Sequence, residues 1–147
     1  MKKHQNLFRD LQEDFRKMKK NLLVAQSGGP TAAINATLAG VIKQAIKEEQ
    51  IDQVYGACYG IQGVLEQKFV NLTEKVDTEE KLEKLKRTPA AALGSCRFKL
   101  NDIKEDDSQY QEIVDILHKM NIGYFVYIGG NDSMDTVAKL SAYCKEK

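Results

Sequence analysis

The chain has 147 residues, of which 42% are hydrophobic and 29% are charged, and its formal net charge at pH 7 is +1. This length suits one domain with a real hydrophobic core, and the near-zero charge produces no long-range field that would attract nucleic acid or anionic lipid. No apolar run approaches the roughly 18 residues of a membrane span, and the N-terminus lacks a signal peptide's apolar run. We therefore expect a cytoplasmic protein that binds neither nucleic acid nor membranes.

The cysteines and histidines favour neither a disulfide framework nor a zinc site. Cys58, Cys96 and Cys144 are odd in number and have no Cys-x-x-Cys spacing, so we expect free, packed thiols. His4 and His118 are far apart in sequence and are predicted to lie on the surface.

The first twenty residues predict an amphipathic helix. Its apolar positions recur with helical spacing among charged residues: they are Leu7, Leu11, Phe15 and Met18. This helix could lie on its own domain, on a remainder of the protein or on another subunit. We therefore divide the chain into an N-terminal helical extension, residues 1–20, and an α/β domain, residues 21–147, which we expect to be truncated at its C-terminus.

A strand, a glycine turn and a helix follow the extension. Residues 21–26 form a nearly continuous apolar run, which is typical of a parallel strand covered on both faces. The run is interrupted by Ser27-Gly28-Gly29-Pro30, and a helical pattern then extends to about Glu49. The apolar positions of that helix are Ile34, Leu38, Val41, Ile42, Ala45 and Ile46. A second strand at residues 53–59 would complete a βαβ unit.

The middle of the chain gives weaker signals. Gly60 and Gly63 indicate a turn, and residues 69–72 favour a short edge strand. Residues 77–80 resemble a capping box at the start of a polar helix that ends at Arg87.

The last third repeats the pattern of strand, glycine turn and helix. Ser108 with Gln111 predicts a helix cap, and the apolar positions that follow are Tyr110, Ile113, Val114, Leu117 and Met120. Residues 124–128 are aromatic and β-branched and predict a strand, which the run from Gly129 to Ser133 ends. The predicted apolar face of the next helix is Met134, Val137, Ala138, Leu140 and Ala142.

Alternating strands and helices predict an α/β fold with a doubly wound, mainly parallel sheet and helices on both faces, similar to a Rossmann fold. In such folds ligands bind beyond the carboxyl ends of the strands. Both glycine turns are expected at that edge.

Three loops contain residues that could bind a phosphate or a magnesium ion. Gly28 and Gly29 could cradle a phosphate at a helix N-terminus, although a pair of glycines after a strand can also be only a tight turn. Asn131 and Asp132 offer hard oxygen ligands for magnesium, or merely cap the following helix. Arg97 could bind phosphate oxygens in a bidentate fork, or could be an ordinary surface arginine.

Together these motifs resemble the N-terminal domain of the phosphofructokinase family. The run from Ser27 to Asn35, the run Gly94-Ser-Cys-Arg-Phe98 and the run Gly129-Gly-Asn-Asp-Ser133 occur in that family's order and approximate spacing. The resemblance implies transfer of a phosphoryl group to fructose 6-phosphate with Mg²⁺. The implied donor-binding residues are Gly28, Gly29, Arg97, Phe98, Gly130, Asn131, Asp132 and Ser133.

Two departures from the family's pattern concern the donor and the metal. Asp132 replaces a glycine of the ATP-using members, and a carboxylate there would repel a nucleotide's inner phosphate, which pyrophosphate does not have. This pattern is similar to the pyrophosphate-dependent branch. Asn131 replaces the Asp associated with the metal, so the implied ligand is Asn131 or Asp132.

The family's catalytic Asp lies in a Thr-Ile-Asp-Asn-Asp segment that this chain does not contain. The resemblance implies that this base lies beyond Lys147 and that no catalytic residue is present here. We therefore expect a fragment that is inactive alone, from an enzyme that is usually homo-oligomeric. An ATP-dependent 6-phosphofructokinase remains an alternative. A non-catalytic phosphate- or nucleotide-binding regulatory module is an alternative of another class.

Overall fold

The computed structural model describes residues 2–27, 32–88, 91–94, 100 and 104–146. Within these ranges the chain forms one four-stranded sheet. β1 (Lys20–Gln26) pairs in parallel with β2 (Ile51–Ala57) on one side and with β4 (Ile122–Ile128) on the other. β3 (Phe69–Asn71) pairs antiparallel with β2, so the order is β3-β2-β1-β4.

Seven helices accompany this sheet in the described ranges. They are α1 (Lys2–Met18), α2 (Ala32–Lys47), α3 (Gly60–Leu65), α4 (Leu72–Lys75), α5 (Glu79–Arg87), α6 (Ser108–Lys119) and α7 (Asn131–Glu146). Helices α2, α4 and α5 pack on one face of the sheet, and α3, α6 and α7 pack on the other. The predicted doubly wound, mainly parallel α/β fold is confirmed.

β1 lies at the centre of the molecule because its alternate side chains enter two different cores. Leu22 and Val24 join the core beneath α2, whereas Leu23 and Ala25 join the core beneath α6. Burial of both faces explains why this strand has a continuous apolar run instead of an alternating one.

The buried face of α7 differs from the predicted one. Met134 is 70% exposed and Val137 is 38% exposed, and Ala138 and Ala142 are also exposed. Of the predicted apolar positions only Leu140 is buried. The residues that face the sheet with it are Ser133, Thr136 and Tyr143. Packing selects this face, because the Tyr143 ring lies 5.6 Å from the ring of Tyr110 on α6.

Several local predictions are also corrected. Gly60 and Gly63 do not form a simple turn but belong to α3, where a Cβ at Gly63 would collide with the Cys58 carbonyl oxygen. The cap of α5 is Thr78, whose hydroxyl accepts the Lys81 N–H at 3.2 Å. At α6 no side chain provides a cap from the N-cap position.

On α2 the prediction holds except at Ile46, which is 52% exposed, and at Val41, which is half-buried. On α6 the buried face includes Ile116 beside Tyr110 and Ile113, a position that the pattern missed.

The described apolar side chains of α1 are exposed. Leu7, Phe8 and Leu11 are 58%, 64% and 49% exposed, so these residues do not pack on the sheet. Cys58 and Cys144 are free as expected, but Cys144 is exposed and not packed. No helix in the described ranges is long and apolar enough to cross a membrane.

Candidate functional site

The strand ends that lead into the two predicted glycine turns lie next to each other because β1 and β4 are parallel neighbours. The register pairs Gln26 with Ile128 at the carboxyl ends of the two strands. Beyond this pair the Ser27 N–H donates to the Ile128 carbonyl oxygen at 2.8 Å. The chain segments that enter both turns are therefore joined by backbone hydrogen bonding.

Gly129, which follows β4, lies close against Ser27, which follows β1. A Cβ on this residue would lie 2.5 Å from the Ser27 carbonyl oxygen and would collide with the Ser133 Oγ. Only glycine can therefore occupy this position without a shift of the backbone.

An open cavity of about 390 Å³ lies at this edge of the sheet. Its lining comes from both strand ends and from the first turns of α2, and consists of Ser27, Ala33, Ile34, Thr37, Ile128, Gly129 and Gly130. None of these residues is titratable. The described wall therefore offers hydroxyl groups and backbone groups, and any side-chain charge must come from neighbouring loops.

Ser133 provides a buried polar group close to this cavity. The residue is 3% exposed, and its Oγ has no hydrogen-bond partner among the described residues. It lies in the first turn of α7, where the unpaired N–H groups and the helix dipole favour an anion. A buried hydroxyl left unsatisfied costs about 1–3 kcal/mol, so a ligand oxygen that paired with it would recover that cost.

The predicted site residues fall into three groups, according to how much of each residue the structure describes. Gly130 lines the cavity and Ser133 lies against Gly129. Asn131 and Asp132 are the first two residues of α7, although their side chains lie outside the described part of the structure. The remaining predicted residues, Gly28, Gly29, Arg97 and Phe98, also lie outside the described residues.

The expected lack of a catalytic base in this chain stays a prediction. The family's catalytic Asp is expected beyond Lys147, and Lys147 itself lies outside the described residues, which end at Glu146. We therefore treat the residues at this edge of the sheet as candidates for holding the donor and assign none of them as the base.

The segment before the predicted arginine loop reaches the same edge. The Leu93 N–H donates to the Gln26 Oε1 at 2.8 Å, and the Leu93 carbonyl oxygen accepts the Tyr59 N–H at 2.8 Å. The described flanks of all three motifs therefore meet at the carboxyl ends of β1, β2 and β4.

Tyr59 is a further candidate residue at this edge, which the sequence analysis did not name. It follows β2 at this edge, is 55% exposed, and adopts a left-handed backbone with φ of 65°. Such a conformation is uncommon for a residue other than glycine and is found more often at functional positions. Its only signal in the sequence is its place between a strand and Gly60.

Shifted pKa values arise at exposed ion pairs away from the cavity. The hydrogen bond from Lys68 and, to a smaller extent, the one from Gln62 lower the pKa of Glu66. The hydrogen bond between Lys68 and Glu66 also raises the pKa of Lys68. A hydrogen bond from Lys81 likewise lowers the pKa of Asp77 at the start of α5. These are surface contacts, which contribute little to stability.

A doubly wound, mainly parallel sheet with a buried hydroxyl and a helix N-terminus at one edge is typical of α/β proteins that bind ligands beyond the carboxyl ends of their strands. Residues 21–146 match the phosphofructokinase family, and the chain belongs to that family. The resemblance drawn from the three motifs is thus confirmed.

Relatives of known activity include both donor types. The chain is 44% identical over 123 residues to the pyrophosphate–fructose 6-phosphate 1-phosphotransferase of Rhodospirillum rubrum, covering 84% of this chain and 29% of that protein. It is 32% identical over 122 residues to ATP-dependent 6-phosphofructokinase 3 of Bacteroides thetaiotaomicron, covering 81% and 34% of the two chains.

A similar solved structure is the pyrophosphate-dependent phosphofructokinase of Nitrosospira multiformis. The TM-score is 0.78 at 37% identity, and the match covers 86% of this chain and 30% of that chain. The chain therefore spans about three tenths of the length of its pyrophosphate-dependent relatives.

Proposed function

We propose that this chain supplies the phosphoryl-donor site of a pyrophosphate-dependent 6-phosphofructokinase. The reaction would move one phosphoryl group of pyrophosphate to the 1-hydroxyl of fructose 6-phosphate, giving fructose 1,6-bisphosphate and phosphate. The observation that carries this proposal is the buried Ser133 Oγ at the N-terminus of α7, which has no hydrogen-bond partner in the described part of the chain. The identity to the Rhodospirillum rubrum enzyme supports the same assignment.

Catalysis of phosphoryl transfer consists mostly of positioning and charge neutralisation. The Ser133 hydroxyl and the first N–H groups of α7 would hold one end of the donor. Gly28, Gly29 and Gly130 would let the backbone approach its oxygens. Arg97 would add a bidentate positive charge beside Phe98.

The donor loop suits Mg²⁺ by the chemistry of its oxygens. Asn131 and Asp132 are the first two residues of α7 and follow Gly130, which lines the cavity. Amide and carboxylate oxygens are hard ligands of the kind that magnesium binds. Magnesium held there would neutralise the charge of the donor phosphates. Its remaining ligands would be phosphate oxygens and water, since magnesium commonly uses only one or two protein carboxylates.

We assign donor selectivity to Asp132. Its carboxylate would repel the inner phosphate of ATP, and pyrophosphate has no such group. An ATP-dependent enzyme is the second candidate, because the Bacteroides thetaiotaomicron relative is ATP-dependent. The family resemblance also supports a cytoplasmic glycolytic enzyme that is homo-oligomeric.

The donor preference is tested with Asp132→Gly in the full-length enzyme. We expect the unchanged enzyme to prefer pyrophosphate, and the variant to shift the ratio of kcat/KM values toward MgATP by about tenfold or more, since removing a like charge relieves a cost of this order. Asp135→Gly is the matched control, because it removes another carboxylate from the start of α7. An unchanged ratio in Asp132→Gly would remove this residue from donor selection.

Ser133→Ala tests the observation that carries the proposal. Because the hydroxyl has no partner among the described residues, its removal should leave the free energy of unfolding within about 0.5 kcal/mol or raise it. Pyrophosphate affinity, measured by calorimetry with magnesium present, should fall by about tenfold. A large loss of stability without a loss of affinity would assign the serine to the fold alone.

A further inference from the structure

An open apolar groove of about 520 Å³ lies on the flank of α2, at the amino ends of the strands. Its lining includes Leu22 near the start of β1, Ile51 at the start of β2, and Gly40 and Val41 on α2. Among the described lining residues only Glu48, just beyond α2, is charged. Contiguous exposed apolar surface commonly marks a site of interaction with another surface.

The helix α1 presents a second exposed apolar surface. Leu7, Phe8 and Leu11 are each about half exposed or more, and helical spacing places Leu7 and Leu11 one turn apart on the same side of the helix. The chain therefore has both an apolar groove and an amphipathic helix whose described apolar residues are exposed. Docking of an amphipathic helix in an apolar groove is a common mode of recognition.

The lengths of the two surfaces agree. The groove follows α2 from Thr37 to Glu48, a rise of about 17 Å along the helix axis. Measured from Met18, where α1 ends, Leu11 lies about 10 Å and Leu7 about 17 Å along α1. Both leucines therefore fall within the length of the groove when the end of α1 lies at its Glu48 end.

The helix cannot enter the groove of its own chain without a sharp reversal. Only Lys19 separates Met18, at the end of α1, from Lys20, at the start of β1. One intervening residue allows at most about 7 Å between the two flanking Cα atoms, whereas a helix with its side chains is about 10 Å across. To lie back over the sheet, α1 would have to unwind its last turn. Its described apolar residues are instead exposed.

We propose that the groove binds α1 of a second copy of this chain, and that two copies exchange their helices in a symmetric dimer. The amino ends of the two sheets face each other across a two-fold axis. Each α1 then continues away from the start of its own β1 and enters the partner's groove without a reversal. The exchange is closed, because each copy gives one helix and receives one. This inference is independent of the proposed donor site.

The charges at the amino ends of the strands favour this arrangement. Residues 48–52 contain Glu48, Glu49 and Asp52 and no basic residue, whereas Lys19 and Lys20 join α1 to β1. All of these residues are exposed except Lys19, which is half-buried. In the dimer the lysines of one copy approach the acidic residues of the other, so the two edges attract each other.

The exchanged contacts are small. Each docked segment is about 17 Å long and about 10 Å wide, which is less than a standard stable interface provides. We therefore expect a weak dimer with a Kd of about 100 µM, so that the chain is monomeric in dilute solution. Analytical ultracentrifugation of the chain from about 10 µM to about 1 mM covers the transition.

Substitutions on α1 test the helix. Leu11→Lys places a charge in the proposed contact and should raise the Kd about tenfold or more, and Leu7→Lys is a second variant of the same kind. Both positions are exposed, so the fold of the monomer should be unchanged. Asn6→Lys is the matched control, because it adds the same charge at an exposed position of α1 outside the apolar stripe. Its Kd should stay within about twofold.

A mixing experiment tests the groove. The Leu11→Lys variant keeps the groove but lacks a helix that can dock, so its isotope-labelled amides report on a helix supplied by another copy. Unlabelled unchanged chain, added at about 0.5 mM, should shift the NMR signals of Gly40, Gln44 and Glu48, which line the groove. Unlabelled Leu11→Lys chain should leave them unchanged.

Other occupants of the groove give different results, and each of them overturns the proposal. If the unchanged chain stays monomeric at about 1 mM, no second copy binds. If Leu11→Lys dimerises as well as the unchanged chain, the copies associate through another surface, such as β4 at the end of the strand order. If the groove signals do not shift on mixing, α1 docks elsewhere. If they differ between Leu11→Lys and the unchanged chain at every concentration, α1 lies in its own groove.

Discussion

Gly129 shows at the scale of one residue how tightly the two strand ends are joined. Its Cα faces the Ser27 carbonyl oxygen and the Ser133 hydroxyl, so a methyl group has no room. Gly40 on α2 is the opposite case, because a Cβ there meets no atom within 4 Å. The two glycines therefore respond differently to the same substitution.

We expect Gly129→Ala to lower the free energy of unfolding by about 1–3 kcal/mol, because the added methyl group forces backbone or side-chain shifts. Gly40→Ala should raise it by about 0.5–1 kcal/mol, because alanine favours a helix interior. Chemical denaturation measures both. Equal effects at the two positions would contradict the close approach of the strand ends.

At the scale of one element, the helices differ in how their apolar stripes are used. The leucines of α1 are exposed, whereas Leu38 on α2 is 1% exposed and belongs to the core beneath it. Both helices have apolar residues with helical spacing, so the spacing alone does not distinguish a buried helix from an exposed one. The two helices differ in whether their apolar residues contact the sheet.

Leu38→Ala should therefore cost about 2–5 kcal/mol of unfolding free energy, through lost burial and a cavity in the core. Leu11→Ala, the same change in another helix, should cost no more than about 0.5 kcal/mol because this side chain is 49% exposed. Urea denaturation of the two variants gives the comparison. A cost above 2 kcal/mol at Leu11 would show that α1 packs on the domain.

At the scale of the whole molecule, the chain matches about three tenths of its pyrophosphate-dependent relatives. The described part forms the edge of the sheet at which we propose that the donor binds, and the sequence lacks the family's Thr-Ile-Asp-Asn-Asp segment. The proposed donor binding and the chemical step therefore need separate tests.

We expect the 147-residue chain alone to produce no fructose 1,6-bisphosphate from fructose 6-phosphate with either pyrophosphate or MgATP. The reason is that general-base help to the attacking hydroxyl, a contribution of about 10²–10⁴ in rate, would be missing together with much of the substrate site. A coupled assay for fructose 1,6-bisphosphate measures the outcome. Turnover by this chain would show that the base lies within these residues and not beyond Lys147.

The local signals of the sequence were sufficient to predict the four strands and the family. β1 could be predicted because burial on both of its faces requires a continuous apolar run. The glycine at position 129 is explained by a close backbone approach, which leaves no room for a Cβ. The position of the β1 and β4 ends at one edge also followed, since neighbouring parallel strands end at the same edge.

Other features depended on contacts between residues distant in the chain. The sheet and the Tyr110 ring determined which face of α7 is buried, and 67 residues separate Gln26 from the amide that it binds at Leu93. Ser133 is recognisable in the motif, but its burial without a partner among the residues that the structure describes depends on its surroundings. The sequence by itself determined the four strands, the longer helices and the residue types that the loops offer, because these follow from neighbouring residues. Only the tertiary structure decided which buried polar groups are satisfied, because hydrogen bonding and burial depend on distant parts of the chain.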